Sequence, residues 1–330
     1  MEGLIDSVSQ SPYCKINRYT SFCPISSNNN TKAYINANQY YEDVANDMER
    51  AKHEIYITDW WMSPEVYLRR PIPATNGVPT CIRFRLDQIL KRAADRGCKI
   101  FILLYREFEQ ALPNKSQYTQ QTLMSLHPNI EVIRHPGNLI FLWSHHEKTV
   151  IIDQSVVYMG GLDLCYGRFD LPDYPLCEPL EDSTKIYFPG QDYSNVRIKD
   201  FVDVDMYYTT LIDKFNTPRM PWRDIAIRLK GPVTKDVTRH FIQYWNFAKS
   251  DLEGSNRRNF LYKKNFEEES DQKKKPARTK YQAKRYDVDS IQQADNEELN
   301  EFIREQRSEG EGYQDQMMNE QTEIIRFELK

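Results

Sequence analysis

The chain has 330 residues, 40% of them hydrophobic and 12% aromatic, enough to bury one large core or two smaller ones. A formal net charge of −4 argues against a nucleic-acid partner, whose phosphates favour a basic face. No run approaches the roughly 18 apolar residues of a membrane span, Met1-Glu2-Gly3-Leu4-Ile5-Asp6 lacks a basic and apolar signal, and six cysteines without CxxC spacing read as reduced thiols of a cytosolic protein.

In chain order, residues 1–30 read as an N-terminal extension. Tyr40, Val44, Met48 and Ala51 recur at helical spacing, which predicts a helix over 39–53, and a strand follows over 54–60. A second helix is expected over 84–96, stopped by Gly97, then an apolar strand from Cys98 to Tyr105, a helix over 117–126 and a strand from Ile130 to His135. Val150-Ile151-Ile152 and Val156 to Met159 are two further β-branched or apolar runs, separated by a tight turn at Asp153-Gln154-Ser155. Pro, Asp and Tyr crowd 171–195, which predicts long functional loops, and Asp236 to Ala248 reads as a helix. The alternation predicts an α/β fold: a layered mixed β-sheet flanked by helices, forming one lobe over 31–250. After about residue 250 a basic run from Lys273 to Arg285 and then an acidic, glutamine-rich stretch predict a charged, flexible tail over 251–330.

The chemistry is concentrated in His145-His146-Glu147-Lys148 followed by Asp153 and Gly160-Gly161-Leu162-Asp163, which fits HxKxxxxDxxxxxxGG. In extended chain, residues two apart share a face, so His146 and Lys148 point together and His145 and Glu147 point away. A neutral imidazole can attack phosphorus or carry a proton, and a fixed ammonium neutralises the phosphoryl oxygens; no metal or cofactor is required. Asp153, of opposite parity to Lys148, is expected to satisfy backbone donors although it belongs to the motif. Gly160 and Gly161 would let the backbone pass close to a ligand, with Asp163 beside them at the substrate. An isolated His-x-Lys is usually an ordinary surface pair; the complete spacing is what gives it weight.

These residues resemble the signature of the phospholipase D superfamily. Residues 20–250 are similar to the N-terminal catalytic half of eukaryotic phospholipase D, through Glu54 to Pro64, Leu126-His127-Pro128-Asn129-Ile130, Tyr166-Gly167-Arg168, Pro189 to Tyr193, Pro218-Arg219-Met220-Pro221-Trp222 and Arg239 to Phe247. The resemblance implies that His146 is an active-site histidine, in this half the nucleophile that forms a phosphohistidine, and that Lys148 holds the phosphate. Tyr174-Pro175-Leu176-Cys177-Glu178 resembles the family's His-Pro-Leu-x-Asp, so Glu178 is expected to orient the imidazole. Arg239 would belong to a phosphoinositide site, although Tyr244 stands where some relatives carry Arg.

Those enzymes build one site from two motif copies. Of the six histidines here, His146 alone has a lysine two residues on; His53, His127, His135, His145 and His240 read as structural. Two readings follow: hydrolysis of phosphatidylcholine to phosphatidic acid and choline at a cytoplasmic membrane surface, with the second motif borrowed from another chain or a homodimer, or an inactive lobe that binds lipid or a partner. A homodimeric phosphodiesterase of the same superfamily is a third.

Overall fold

The computed structural model describes residues 21–107, 112, 114–136, 144–179, 184–193, 203–214 and 216–253, with side chains as far as residue 250. The first 20 residues of the expected extension and the charged tail beyond residue 253 lie outside the described residues.

The central strands are apolar on both faces, and each face meets its own layer of helix. β1 (Asn30–Ile35) leads into α1 (Ala37–Arg50), then β2 (Glu54–Asp59), β3 (Ile72–Thr75), β4 (Val78–Pro79), α2 (Leu86–Asp95), β5 (Lys99–Tyr105), α3 (Ser116–Leu126) and β6 (Ile130–His135). There follow β7 (Thr149–Ile152), β8 (Val156–Gly160), β9 (Lys185–Ile186), β10 (Ile225–Lys230) and α4 (Thr234–Glu253). Seven strands form a mixed sheet in the order β1-β10-β8-β7-β2-β5-β6, in which β2, β5 and β6 run parallel and the remaining neighbours antiparallel. A small sheet, β4-β3-β9, stands apart from it.

Period-two alternation sorts the core. Ile55 and Ile57 of β2, Ile100, Ile102 and Leu104 of β5, and Val150 and Ile152 of β7 pack with Tyr40, Val44 and Met48 of α1, Leu90 of α2 and Leu123 of α3. The alternate residues Tyr56, Leu103, Ile151 and Val157 pack against Phe241, Ile242 and Trp245 of α4, where Tyr56 stacks on Phe241 at 4.7 Å between centroids. Each such buried side chain contributes about 1.5–3 kcal/mol by leaving water. The expected helices and strands are present with ends moved by a few residues. β1, the β3–β4 pair, β9 and β10 were not foreseen; β1 is only half apolar, because it is the sheet edge and exposes all but one of its residues.

The β7–β8 hairpin turns through Asp153 (φ 49°) and Gln154 (φ 52°), both left-handed, and Ser155 donates its backbone N–H to the Ile152 carbonyl at 3.0 Å. The Asp153 carboxylate accepts the backbone N–H groups of Lys52, His53 and Glu54 at 2.8–3.0 Å, tying the turn to the start of β2. Asp153 is thus a structural clamp at the end of β7 opposite to His146, which corrects its place among the catalytic residues.

Candidate active site

β2 ends at Asp59, β7 begins just after Lys148 and β8 ends at Gly160, so their functional residues meet at one end of the sheet, beyond the carboxyl ends of the parallel strands. Residues 144–148 lie outside the strand itself, but the alternation of β7 runs back through them. Glu147 and His145 turn toward α4. Glu147 bonds the ring of His240 (Oε2 to Nε2, 2.8 Å) and takes the Thr58 hydroxyl at 3.4 Å, while His145 Nδ1 lies 2.9 Å from the Tyr244 hydroxyl. His146 and Lys148 take the other face, and both meet Trp60: the imidazole is 5.4 Å from the indole, centroid to centroid, and Lys148 Nζ is 5.7 Å from its centroid.

The two groups differ in exposure. His146 is open to solvent, whereas Lys148 is 5% exposed and its ammonium donates to the His146 carbonyl (3.1 Å) and pairs with Asp163 Oδ1 (3.1 Å). Partial burial, then the charge of Lys148, depress the pKa of His146, which leaves the imidazole neutral and nucleophilic at pH 7. Asp163 is a hub. Its Oδ1 also accepts the backbone N–H groups of Trp60 (3.3 Å) and Trp61 (3.2 Å), and its Oδ2 lies 3.6 Å from Arg168 Nε. Behind it stands Asp59, 1% exposed, which accepts the Leu164 N–H at 2.8 Å and shares a side-chain hydrogen bond with Asp163. Two carboxyls can share such a bond only through a proton. Burial, followed by the Asp163 charge, raises the Asp59 pKa far above the carboxylate range; for Asp163 burial is outweighed by the bond from Asp59 and by Lys148 and Arg168, and its pKa falls. Asp59 is thereby driven toward its protonated form and Asp163 toward its ionised one.

Four expected site residues lie elsewhere or act differently. Glu178 accepts the backbone N–H groups of Tyr187 (2.8 Å) and Phe188 (3.0 Å), so it anchors the loop around β9 and is not brought to the His146 ring. At Gly160 and Gly161 the side-chain direction is filled by protein. A Cβ on Gly160 would sit 2.6 Å from Ala226 Cα and against the Ile225 carbonyl, and one on Gly161 would strike the Asp224 carboxylate. Their missing side chains admit β10. Arg239 is half-buried on α4, stacked on Phe22 at 4.1 Å with Nη2 donating to its carbonyl at 2.9 Å. Asp59, Trp60 and Arg168, which surround this pair, were given no role from the motif, although they lie in two of the family-like segments, Glu54 to Pro64 and Tyr166-Gly167-Arg168. Among the described residues, no group of three or more His, Cys, Asp or Glu side chains is placed to hold a metal ion, and no helix is long and apolar enough to cross a membrane.

A solvent-facing imidazole and an anchored ammonium thus stand together at the end of a mixed α/β sheet. Residues 47–319 match the family model for phospholipase D, and the chain belongs to that family. It is 40% identical over 250 residues to phospholipase D1 of Saccharomyces cerevisiae, covering 75% of this chain and 14% of that protein. It is 39% identical over 272 residues to phospholipase D2 of Bos taurus, covering 74% of this chain and 28% of the relative, and 33% identical over 378 residues to human phospholipase D1, covering 72% and 35%. The chain thus spans about a third or less of these relatives' own length. Among solved structures, NucT from Helicobacter pylori aligns over 68% of this chain and 96% of its own at 12% identity with a TM-score of 0.35, too loose a likeness to argue from.

Proposed function

We propose that this lobe carries one half of a phospholipase D-type site that hydrolyses a phosphodiester through a phosphohistidine on His146. The supporting observation is the pairing of an exposed, neutral His146 with a buried, fixed Lys148 on one face, both against Trp60. The imidazole nitrogen attacks phosphorus, the bond to the leaving alcohol breaks, and Lys148 neutralises the equatorial oxygens as charge develops. The leaving alkoxide needs a proton from the far side of phosphorus, a contribution of about 10²- to 10⁴-fold. That acid is assigned to a second His-Lys pair, carried by a longer form of the protein or by another chain. Water, or an alcohol, then attacks the phosphoimidazole and the phosphorus–nitrogen bond breaks. Asp163, and not Glu178, is the carboxylate beside this pair: it holds the Lys148 ammonium, and its charge partly offsets the depression of the His146 pKa.

The substrate is read as phosphatidylcholine, giving phosphatidic acid and choline, with the lobe peripheral to a cytoplasmic membrane face. Its catalytic region is taken as 31–250, with 1–30 and 251–330 as flanks. A phosphoinositide site at Arg239 gains no support from a guanidinium already stacked on Phe22. The test presents the protein with phosphatidylcholine vesicles and a primary alcohol. With a chain that carries the second His-Lys pair added, phosphatidylalcohol formed by wild type and not by His146→Ala is expected; its absence from that mixture at every protein concentration refutes the assignment.

A further inference from the structure

Arg168 has an environment that the chemistry described so far does not use. It is 9% exposed and lies next to the anion that holds Lys148, on that carboxylate's other oxygen. Its Cζ is 3.9 Å from the centroid of the Trp222 ring and 5.5 Å from that of Trp61. Yet the approach to Asp163, at 3.6 Å, is too long for a hydrogen bond. Among the described residues Nε has no hydrogen-bond partner, and neither has the buried Nε1–H of Trp222 over which the guanidinium lies. Leaving such donors buried and unmatched costs about 1–3 kcal/mol each, and two of them side by side next to the anion that holds Lys148 call for a partner.

The arrangement is held from outside. Asp170, two residues beyond Arg168, takes Arg219 in a buried two-pronged pair (3.1 and 2.9 Å) and also accepts the Trp222 N–H at 2.6 Å. The two chain segments are locked together, and the indole is fixed on the guanidinium. Charge supplies the ligand. Two cations, Lys148 and Arg168, face the single carboxylate of Asp163 from its two oxygens, an excess that suits an anion such as a phosphodiester.

We propose that Arg168 is a second phosphate-holding residue of this site, its free N–H groups taking an anionic phosphoryl oxygen alongside Lys148. The proposal rests on the reading of His146 and Lys148 as a phosphate site. A planar guanidinium locked between indoles offers two parallel donors that an ammonium cannot reproduce.

The test follows side-chain nitrogen resonances of Arg168 and His146 while the intact chain is titrated with inorganic phosphate and, separately, with monomeric dihexanoyl phosphatidylcholine. Both residues are expected to shift in wild type, and Arg168→Lys, which keeps the charge opposite Asp163, should weaken the affinity by about 10- to 100-fold, the worth of hydrogen bonds to a charged group. A shift with phosphate alone names free phosphate as the ligand, and a shift with both names the phosphoryl group in general; either supports the assignment. If the probes move His146 but not Arg168, or Arg168→Lys binds as wild type does, the role of Arg168 is overturned while the phosphate site stands. If neither probe moves either residue, both fail. Should Arg168→Lys not fold, the wild-type resonances decide by themselves.

Discussion

Acidification should weaken this fold through His145 in a way that one substitution removes. The residue is 3% exposed, its Nδ1 is engaged by Tyr244, and among the described residues its buried Nε2 has no partner. Burial, against a partly compensating pull from Glu147, lowers its pKa from 6.5 to about 4. The unfolded chain takes up this proton as pH falls through 6.5, while the folded chain resists until about 4. Stability present above pH 6.5 is therefore lost on the way down. The full gap corresponds to about 3 kcal/mol, of which about 2 kcal/mol is spent between pH 7 and 4.5, against a typical total of about 5–15 kcal/mol. His240 works in the opposite direction. Its bond to Glu147 raises its pKa, so its contribution is complete below 6.5 and fades as pH climbs through the raised value. That residue is present in both proteins to be compared, so its effect cancels. Urea unfolding of wild type and His145→Phe at pH 7 and pH 4.5 measures the difference: wild type should lose about 2 kcal/mol more than the variant over this interval. Equal losses in the two proteins would show that His145 is protonated in the fold and that its burial has no such cost.

Two further substitutions test the interior of the site. Asp59→Asn should fold within about 1 kcal/mol of wild type, because an amide can accept the Leu164 N–H and donate to Asp163 as the protonated acid does. Asp59→Ala, which strands both partners, should cost about 1–3 kcal/mol by denaturant unfolding, and an equally damaging Asp59→Asn would mean that Asp59 is ionised. Gly160→Ala should cost about 1–3 kcal/mol, since its new methyl meets the backbone of β10, while Gly161→Ala should cost less because the Asp224 side chain can turn aside. The two melting temperatures rank them, and the reverse order would contradict the packing role of Gly160.

The same geometry explains why the motif has the residues it has. Asp153 must cap three amides at the start of β2 while sitting in a left-handed turn, and a short carboxylate does both. Gly160 must let β10 lie against β8. Half of the familiar signature therefore builds the hairpin that leads out of His146 and Lys148.

From the residues alone came the helix and strand alternation, the layered α/β lobe, the shared face of His146 and Lys148 and the family resemblance, because these depend on periodicity and spacing within a few residues. The edge strand β1 escaped notice, since a strand that buries one residue in six carries almost no apolar signal. Glu178 and Asp163 illustrate the other limit. Which carboxylate reaches which cation depends on how loops far apart in the chain are folded back, and only the tertiary structure sends Glu178 to the amides of Tyr187 and Phe188 and sets Asp163 between Lys148 and Arg168. The proton shared by Asp59 and Asp163 has the same origin. Residues separated by about a hundred positions acquire a common charge state when folding removes the water between them.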